Sequence, residues 1–118
     1  MKNDLTVKIH EKDLGTIIIV SGQLTRATYH KLDYVFKELT FYEIDYCALN
    51  LTKLSYLDAK GLELISSFRK TLSKRKVSLF AFGMNNEIFN ILDKVDIAKG
   101  IKLVNTENEI GQVFKNLI

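Results

Sequence analysis

The amino-acid sequence predicts an α/β protein with a mostly parallel, five-stranded sheet and four helices. Short β-branched or apolar runs alternate along the chain with longer segments of helical hydrophobic spacing. Strands that alternate with helices pair in parallel through right-handed crossovers, and the helices cover the sheet. Only a turn at Gly15 separates the first two strands, so the first is predicted to be an antiparallel edge strand. We expect the order β-β-α-β-α-β-α-β-α, in one domain over residues 1–118.

The first half of the chain supplies three of these strands and one helix. Leu5, Val7 and Ile9 alternate with polar residues, which is typical of a strand with one solvated face. The β-branched run Thr16–Val20 and the segment Tyr46–Leu51 are typical of strands buried on both faces. Between them, residues 26–39 have helical period. The apolar stripe of this helix is Leu32, Val35, Phe36 and Leu39.

The second half alternates three helices with two strands. The helices are marked by Leu62, Ile65, Phe68, Arg69 and Leu72, then by Ile88, Ile91, Leu92 and Val95, and last by Ile110, Val113, Phe114 and Leu117. The strands between them are Val77–Phe82 and Ile101–Val104. Asn85 or Asn86 can cap the third helix, and Thr106 with Glu109 has the spacing of a capping box for the fourth.

The composition is that of an ordinary globular protein, with 47% hydrophobic and 26% charged residues. No apolar run is long enough for a membrane helix, and the first residues do not resemble a secretory signal. Cys47 stands alone in an apolar run, so we expect a buried thiol in a reducing cytoplasm. The net charge is +3, and its densest basic run, residues 69–76, falls at a helix end, where the helix dipole favours cations. We therefore expect no nucleic-acid site and no membrane insertion.

The sequence contains no constellation of residues that predicts catalysis. His10 lies at the end of the first strand and His30 lies off the stripe of the first helix, so both are expected at the surface. No Cys/His group has metal-ligand spacing, and the glycines form no phosphate-binding loop. Asp93 and Asp96 are expected to be surface charges. We therefore expect no enzyme activity, no metal and no cofactor.

In residues 49–62 a buried strand leads through a short turn into a helix, and the segment reads Leu-Asn-Leu-Thr-Lys-Leu-Ser-Tyr-Leu-Asp-Ala-Lys-Gly-Leu. It resembles the signature of STAS domains (sulphate transporter and anti-sigma-factor antagonist). In that family a strand leads through "Phe-hydrophobic-Asp-Ser-Ser/Ala-Gly-Leu" into the second helix. Ser21–Leu24 looks like the family's Gly-Glu-Leu-Asp turn before the first helix. Val77–Phe82 is similar to its strand after a basic helix end, so the resemblance covers nearly the whole chain.

The resemblance implies a bacterial regulator that binds an anti-sigma factor, a serine kinase with an ATP-binding fold, and thereby releases a sigma factor. In the family the kinase phosphorylates a Ser or Thr just before the Gly-Leu pair, and the added charge of about −1.5 to −2 breaks the complex. Both matching segments follow strands, so we expect them at one edge of the sheet. The residues expected to contact the partner are Gln23, Thr25, Ser55, Tyr56, Asp58, Ala59, Lys60, Gly61 and Leu62.

Two positions depart from the family pattern. Lys60 stands at the phosphoacceptor-equivalent position and has no hydroxyl, and Thr25 replaces an acidic residue. A cation in the first helical turn faces the positive end of the dipole, at a cost of roughly 0.3–1 kcal/mol if exposed, which Asp58 at the N-cap should partly offset. Lys60 is either the remnant of a lost switch or an ion-pair donor to an acidic partner.

Other residues in this segment have simpler explanations or could replace the missing hydroxyl. Gly61 is expected to allow a close approach of the backbone where the helix begins. Ser55 and Ser66 could receive a phosphate instead of residue 60, and Ser55 is the better candidate.

Two other functions remain open. The domain could be a fixed structural subunit of a larger assembly, as STAS-like proteins are in some lipid-transport machines. It could also bind nucleic acid through its basic surface, in which case affinity would fall steeply with salt.

Overall fold

The computed structural model describes residues 4–12, 15–94 and 100–117, which form a sheet covered by helices. The expected α/β class is confirmed, with four helices and six strands in these residues. In chain order the elements are β1 (Leu5–Glu11), β2 (Gly15–Leu24), α1 (His30–Leu39), β3 (Tyr46–Asn50), β4 (Leu54–Leu57), α2 (Ala59–Lys74), β5 (Ser78–Phe82), α3 (Asn86–Lys94), β6 (Lys102–Leu103) and α4 (Glu107–Leu117).

The sheet has the order β1-β2-β3-β5-β6, and β4 also pairs with β2. As predicted, β1 is antiparallel to β2 at one edge, and every other pairing is parallel. All the parallel strands therefore end at the same edge of the sheet.

The strand β4 was not predicted, and it exists because β2 is twice as long as β3. The first half of β2 pairs with β3, and its last residues, Gly22–Leu24, pair with β4. Leu54 and Leu57 are buried while Ser55 and Tyr56 between them are exposed, so the segment does not alternate as a strand usually does. The prediction of five strands was wrong because β4 is held by the backbone amides and carbonyls at the end of β2, which lies about 30 residues earlier in the sequence and needs hydrogen-bond partners.

The start of α1 also differs from the prediction. Residues 21–24 are the end of β2 and not a turn, and α1 begins at His30 and not at Arg26. In the intervening turn, the Thr28 hydroxyl accepts the Thr25 amide at 2.9 Å and donates to the Gln23 carbonyl at 2.6 Å. These local hydrogen bonds compete with helical ones, as threonine side chains often do.

Two apolar clusters lie on the two faces of the sheet. On one face, α1, α2 and α3 pack over alternate residues of β2, β3 and β5, and the rings of Phe36 and Phe68 stack with their centroids 3.8 Å apart. On the other face, Ile110 of α4 packs against Ile17, Ala48 and Phe80. Both faces of the sheet are buried, which explains the continuous apolar character of Thr16–Val20.

The cap predicted for α3 is confirmed, whereas the capping box predicted for α4 is wrong, because the Glu109 amide donates to the Thr106 backbone carbonyl, at 3.2 Å, and not to its hydroxyl. The Asn85 side chain accepts the Ile88 amide at 2.8 Å. The Glu109 carboxylate accepts the amide of Asn105, at 3.3 Å, instead of that of Thr106. Two of the residues named in the sequence analysis, Val95 and Asp96, lie outside the described residues. The side chains of three predicted stripe residues of α4 also lie outside the description: Val113, Phe114 and Leu117.

Candidate functional site

Asp58 connects the two segments that the sequence predicted to lie together. It is the N-cap of α2, and its Oδ1 accepts the Gly61 amide at 2.9 Å. Its Oδ2 accepts the amide of Arg26 at 2.9 Å, from the turn before α1. Its own amide donates to the Leu24 carbonyl at 3.1 Å and so extends the pairing of β2 with β4. The N-cap prediction is confirmed, and the same carboxylate also holds the turn before α1 in place.

Gly61 allows α2 to begin directly against the end of β2. A Cβ at this position would lie 2.7 Å from Leu24 Cγ and from Leu57 Cδ1, and 2.8 Å from the Leu24 carbonyl oxygen. Real side chains do not approach so closely, and the carbonyl belongs to a paired strand that cannot easily move. The expectation of a close backbone approach at Gly61 is confirmed.

Lys60 lies at the rim of this edge, in the first turn of α2, which contains no acidic residue. Its Nζ lies 4.8 Å from the centroid of the Tyr29 ring and 3.5 Å from Glu63 Oε1. A cation over an aromatic face at an exposed site gains about 0.5–1 kcal/mol, and an exposed i,i+3 ion pair adds a few tenths. Tyr29 and Glu63 therefore offset the unfavourable dipole position of Lys60, in addition to Asp58.

Thr25 closes a local turn ahead of α1, whose N-cap residue is Tyr29. Its Oγ1 accepts the Ala27 amide at 3.1 Å, and its carbonyl accepts the amides of Thr28 and Tyr29. A hydroxyl performs here what an acidic side chain does in many such turns. The departure from the family pattern at Thr25 leaves the turn intact and removes a negative charge from the surface.

The neighbouring end of β2 is irregular. The pairing of β2 with β4 shifts register between Gly22 and Gln23, and Gly22 has φ of +100°. The Gly22 carbonyl accepts the Ser55 hydroxyl at 3.0 Å. A bulge of this kind re-aims the following side chains, here Gln23 and Thr25, and is common beside functional sites.

The structure brings all nine predicted contact residues to this one edge, but it does not expose all of them. Ser55, Tyr56 and Ala59 are exposed, and Gln23, Thr25, Asp58 and Lys60 are partly exposed. Gly61 and Leu62 are buried. These two residues lie beneath the surface and expose too little area for a partner to contact, so they are removed from the predicted set of contact residues.

Sequence reasoning missed Tyr29, Arg26 and Glu63, which complete this edge. Tyr29 stands three residues before Leu32, in the period of the α1 stripe, and packs partly buried against the core, so nothing local indicates that it lies under Lys60. The amide of Arg26 meets Asp58 across 32 residues of sequence. Only the folded chain brings them together.

The two histidines and the one cysteine lie in different environments, at the surface and in the core. No group of three or more His, Cys, Asp or Glu side chains in residues 4–12, 15–94 and 100–117 could hold a metal. His10 and His30 are exposed, as predicted. Cys47 is fully buried, and desolvation raises the pKa of its thiol to about 12, so it stays neutral and unreactive near pH 7. Within the same described ranges, none of the helices has the length and apolar character needed to span a bilayer.

Known proteins similar to this chain include several anti-sigma factor antagonists. The anti-sigma-B factor antagonist of Listeria monocytogenes is 26% identical over 109 residues, which cover 92% of this chain and 96% of the relative. An anti-sigma factor antagonist from Mycobacterium paratuberculosis has a TM-score of 0.79 at 17% identity, covering 98% of this chain and 97% of that one. The unphosphorylated form of the anti-sigma factor antagonist SpoIIAA has a TM-score of 0.76 at 11% identity, covering 96% and 99%.

These structural likenesses support the fold, and the family follows from the sequence. The family model described as STAS domain matches residues 5–110, from the first residue of β1 into α4. This chain therefore belongs to the STAS domain family.

Proposed function

We propose that this chain is a non-enzymatic, single-domain regulator that binds a protein partner of the anti-sigma-factor type, a serine kinase with an ATP-binding fold. The support is its similarity, over almost its whole length, to a relative named anti-sigma-B factor antagonist. We place it in the cytoplasm, because its one cysteine is a buried free thiol.

The docking surface in this proposal is the edge where α2 begins. For this proposal we define the α2 rim as Ser55, Tyr56, Ala59 and Lys60, together with the partly exposed Gln23 and Thr25. The Asp58 side chain fixes the relative position of its two halves through two hydrogen bonds of 2.9 Å. Tyr56 is half exposed and is the aromatic anchor of the surface. A preorganised surface of this kind loses little conformational entropy on binding.

The position of Lys60 carries the more specific part of the proposal. Phosphoryl transfer needs a hydroxyl in line with the γ-phosphate, and the Lys60 ammonium offers none. The chain should therefore act as a permanently unphosphorylated antagonist, regulated by its abundance. Its partner should present acidic or phosphate-bearing groups opposite Lys60, which raises the association rate more than the affinity.

The two hydroxyls that could replace the missing acceptor differ in access. Ser66 is 4% exposed, so a kinase cannot reach it in the folded chain. Ser55 is exposed, although its hydroxyl donates to the Gly22 carbonyl at 3.0 Å. Of these two, Ser55 alone is accessible, and its hydroxyl must turn away from the Gly22 carbonyl to meet a γ-phosphate.

The test uses the anti-sigma serine kinase from the same organism. Wild type, Lys60→Ser and Lys70→Ser are incubated with the kinase and ATP, and phosphate is mapped by mass spectrometry alongside a binding titration. Lys70→Ser is the matched control, because residue 70 is an exposed lysine on the same helix, away from its N-terminus.

We expect all three proteins to bind the kinase. Only Lys60→Ser should gain phosphate, and the phosphorylated variant should then release the kinase. Stoichiometric phosphate on the wild-type chain would overturn the role of Lys60. Failure of the wild-type chain to bind the kinase would overturn the function itself.

A further inference from the structure

A second surface lies at the opposite end of the sheet from the α2 rim. A groove of about 500 Å³ runs between β1 and the second half of α1, where β2 begins and the chain enters β3. We call it the α1 groove. It is lined by Ile9, Glu11, Lys12, Gly15, Thr16, Tyr34, Val35, Glu38, Leu39, Tyr42, Glu43, Ile44 and Asp45. The ten residues of β2 separate the two surfaces by about 30 Å, at roughly 3.3 Å per residue.

The α1 groove exposes large apolar side chains that the core does not use. Tyr34 is 66% exposed, Tyr42 58% and Ile9 47%. The core takes the other side of α1, through Leu32, Phe36 and Leu39. Three large side chains exposed together around a concave surface are typical of a protein-binding site, and tyrosine is enriched in such interfaces.

The charges around the α1 groove are almost all negative. Four carboxylates line it, those of Glu11, Glu38, Glu43 and Asp45, and among the described residues none of them has an ion pair. Among the described lining residues the one cation, Lys12, pairs with Glu107 of α4 at 3.1 Å, and the Arg75 guanidinium, outside the lining, reaches the Tyr42 carbonyl. The chain as a whole carries +3, so this local excess of negative charge opposes the overall balance.

The walls of the groove are held in place by contacts outside it. The Arg75 guanidinium, at the end of α2, donates to the Tyr42 carbonyl and fixes the segment that follows α1. At the start of β2, a Cβ on Gly15 would lie 2.6 Å from the Tyr46 carbonyl oxygen and 2.7 Å from its ring, so only glycine fits there. The groove is therefore a formed feature of the fold.

We propose that the α1 groove binds a basic, amphipathic segment of a partner protein, with aliphatic side chains against Tyr34 and Tyr42 and lysines or arginines facing the carboxylates. Charge complementarity selects this occupant, because the same carboxylates repel phosphate groups of nucleic acid and anionic lipid. The inference does not rest on the function proposed for the α2 rim. Both surfaces can be occupied at once because they lie at opposite ends of β2.

The probe is a synthetic amphipathic peptide of leucine and lysine, with a leucine–glutamate peptide of the same pattern as its control. Binding to the full chain is measured by NMR shift mapping and by a fluorescence titration at two salt concentrations. The test variant is Glu38→Lys with Glu43→Lys. The matched control is Glu87→Lys with Asp93→Lys, which makes the same change in net charge on exposed positions of α3.

We expect the lysine peptide to shift the resonances of Tyr34, Glu38 and Tyr42, and to bind more weakly at high salt. Charge reversal in the groove should weaken binding by roughly tenfold or more, and the α3 control should change it by less than about threefold. Circular dichroism of each variant confirms that it is folded.

Several results would overturn the proposal. These are no binding of the lysine peptide to wild type, equal binding of the glutamate peptide, shifts confined to the α2 rim, and equal weakening in the α3 control. Sedimentation that showed self-association, lost on charge reversal in the groove, would assign the surface to a second copy of the chain instead.

Discussion

Replacing Gly61 with alanine tests the geometry on which the α2 rim depends. The new Cβ would lie 2.7–2.8 Å from Leu24 and Leu57, where ordinary contacts begin near 3.4 Å. Overpacking of this kind costs about 1–3 kcal/mol. Alanine is favoured over glycine within a helix by up to about 1 kcal/mol, which leaves an expected net loss in the free energy of unfolding of up to about 2 kcal/mol.

The chain provides a control substitution whose expected effect on the free energy of unfolding has the opposite sign. Gly111 lies in α4, and a Cβ there would meet no atom within 4 Å. Gly111→Ala should therefore stabilise the protein by about 0.5–1 kcal/mol, through helix propensity and the lower entropy of the unfolded chain.

Both variants are measured by urea unfolding against wild type, with a check that the slope with denaturant is unchanged. If Gly61→Ala were as stabilising as Gly111→Ala, the close approach of α2 to β2 would be wrong. The helix start would then be free to move, and the preorganised surface proposed around Lys60 would lose its basis.

Two further predictions concern Asp58 and Cys47. Asp58→Ala removes the acceptor for the amides of both Gly61 and Arg26 and should lower the free energy of unfolding by about 1–2 kcal/mol. Asp58→Asn should lose less, because an amide oxygen can still cap the helix. Equal losses for the two variants in urea unfolding would contradict this. The pKa of Cys47 is raised by burial from 9.0 to about 12, so above pH 9 the unfolded chain releases a proton that the folded chain keeps. The thiol's contribution to stability is therefore complete below pH 9 and is lost as the pH rises towards 12. A thiol reagent at pH 8 should modify Cys47 only at the rate of unfolding, and rapid labelling of the folded protein would show that the thiol is accessible.

The parts of this protein that the sequence predicted are those governed by local periodicity. The apolar stripe of α2, the capping side chain of Asp58 and the buried run Thr16–Val20 each leave a pattern within a few residues. The α/β class follows from the order of such patterns, and the resemblance at residues 49–62 located the start of α2. The partner that the α2 rim binds remains a prediction.

What only the tertiary structure decided are the contacts between segments far apart in the chain. The strand β4 forms because the end of β2 needs backbone partners, and its own residues do not alternate. Tyr29 lies under Lys60, and Asp58 binds Arg26, across about 30 residues. The acidic and aromatic residues of the α1 groove come from β1, α1 and the segment between α1 and β3, and no one of these segments is unusual by itself. Hydrophobic period specifies which side of an element is buried, but it carries no information about which exposed side chains of different elements become neighbours.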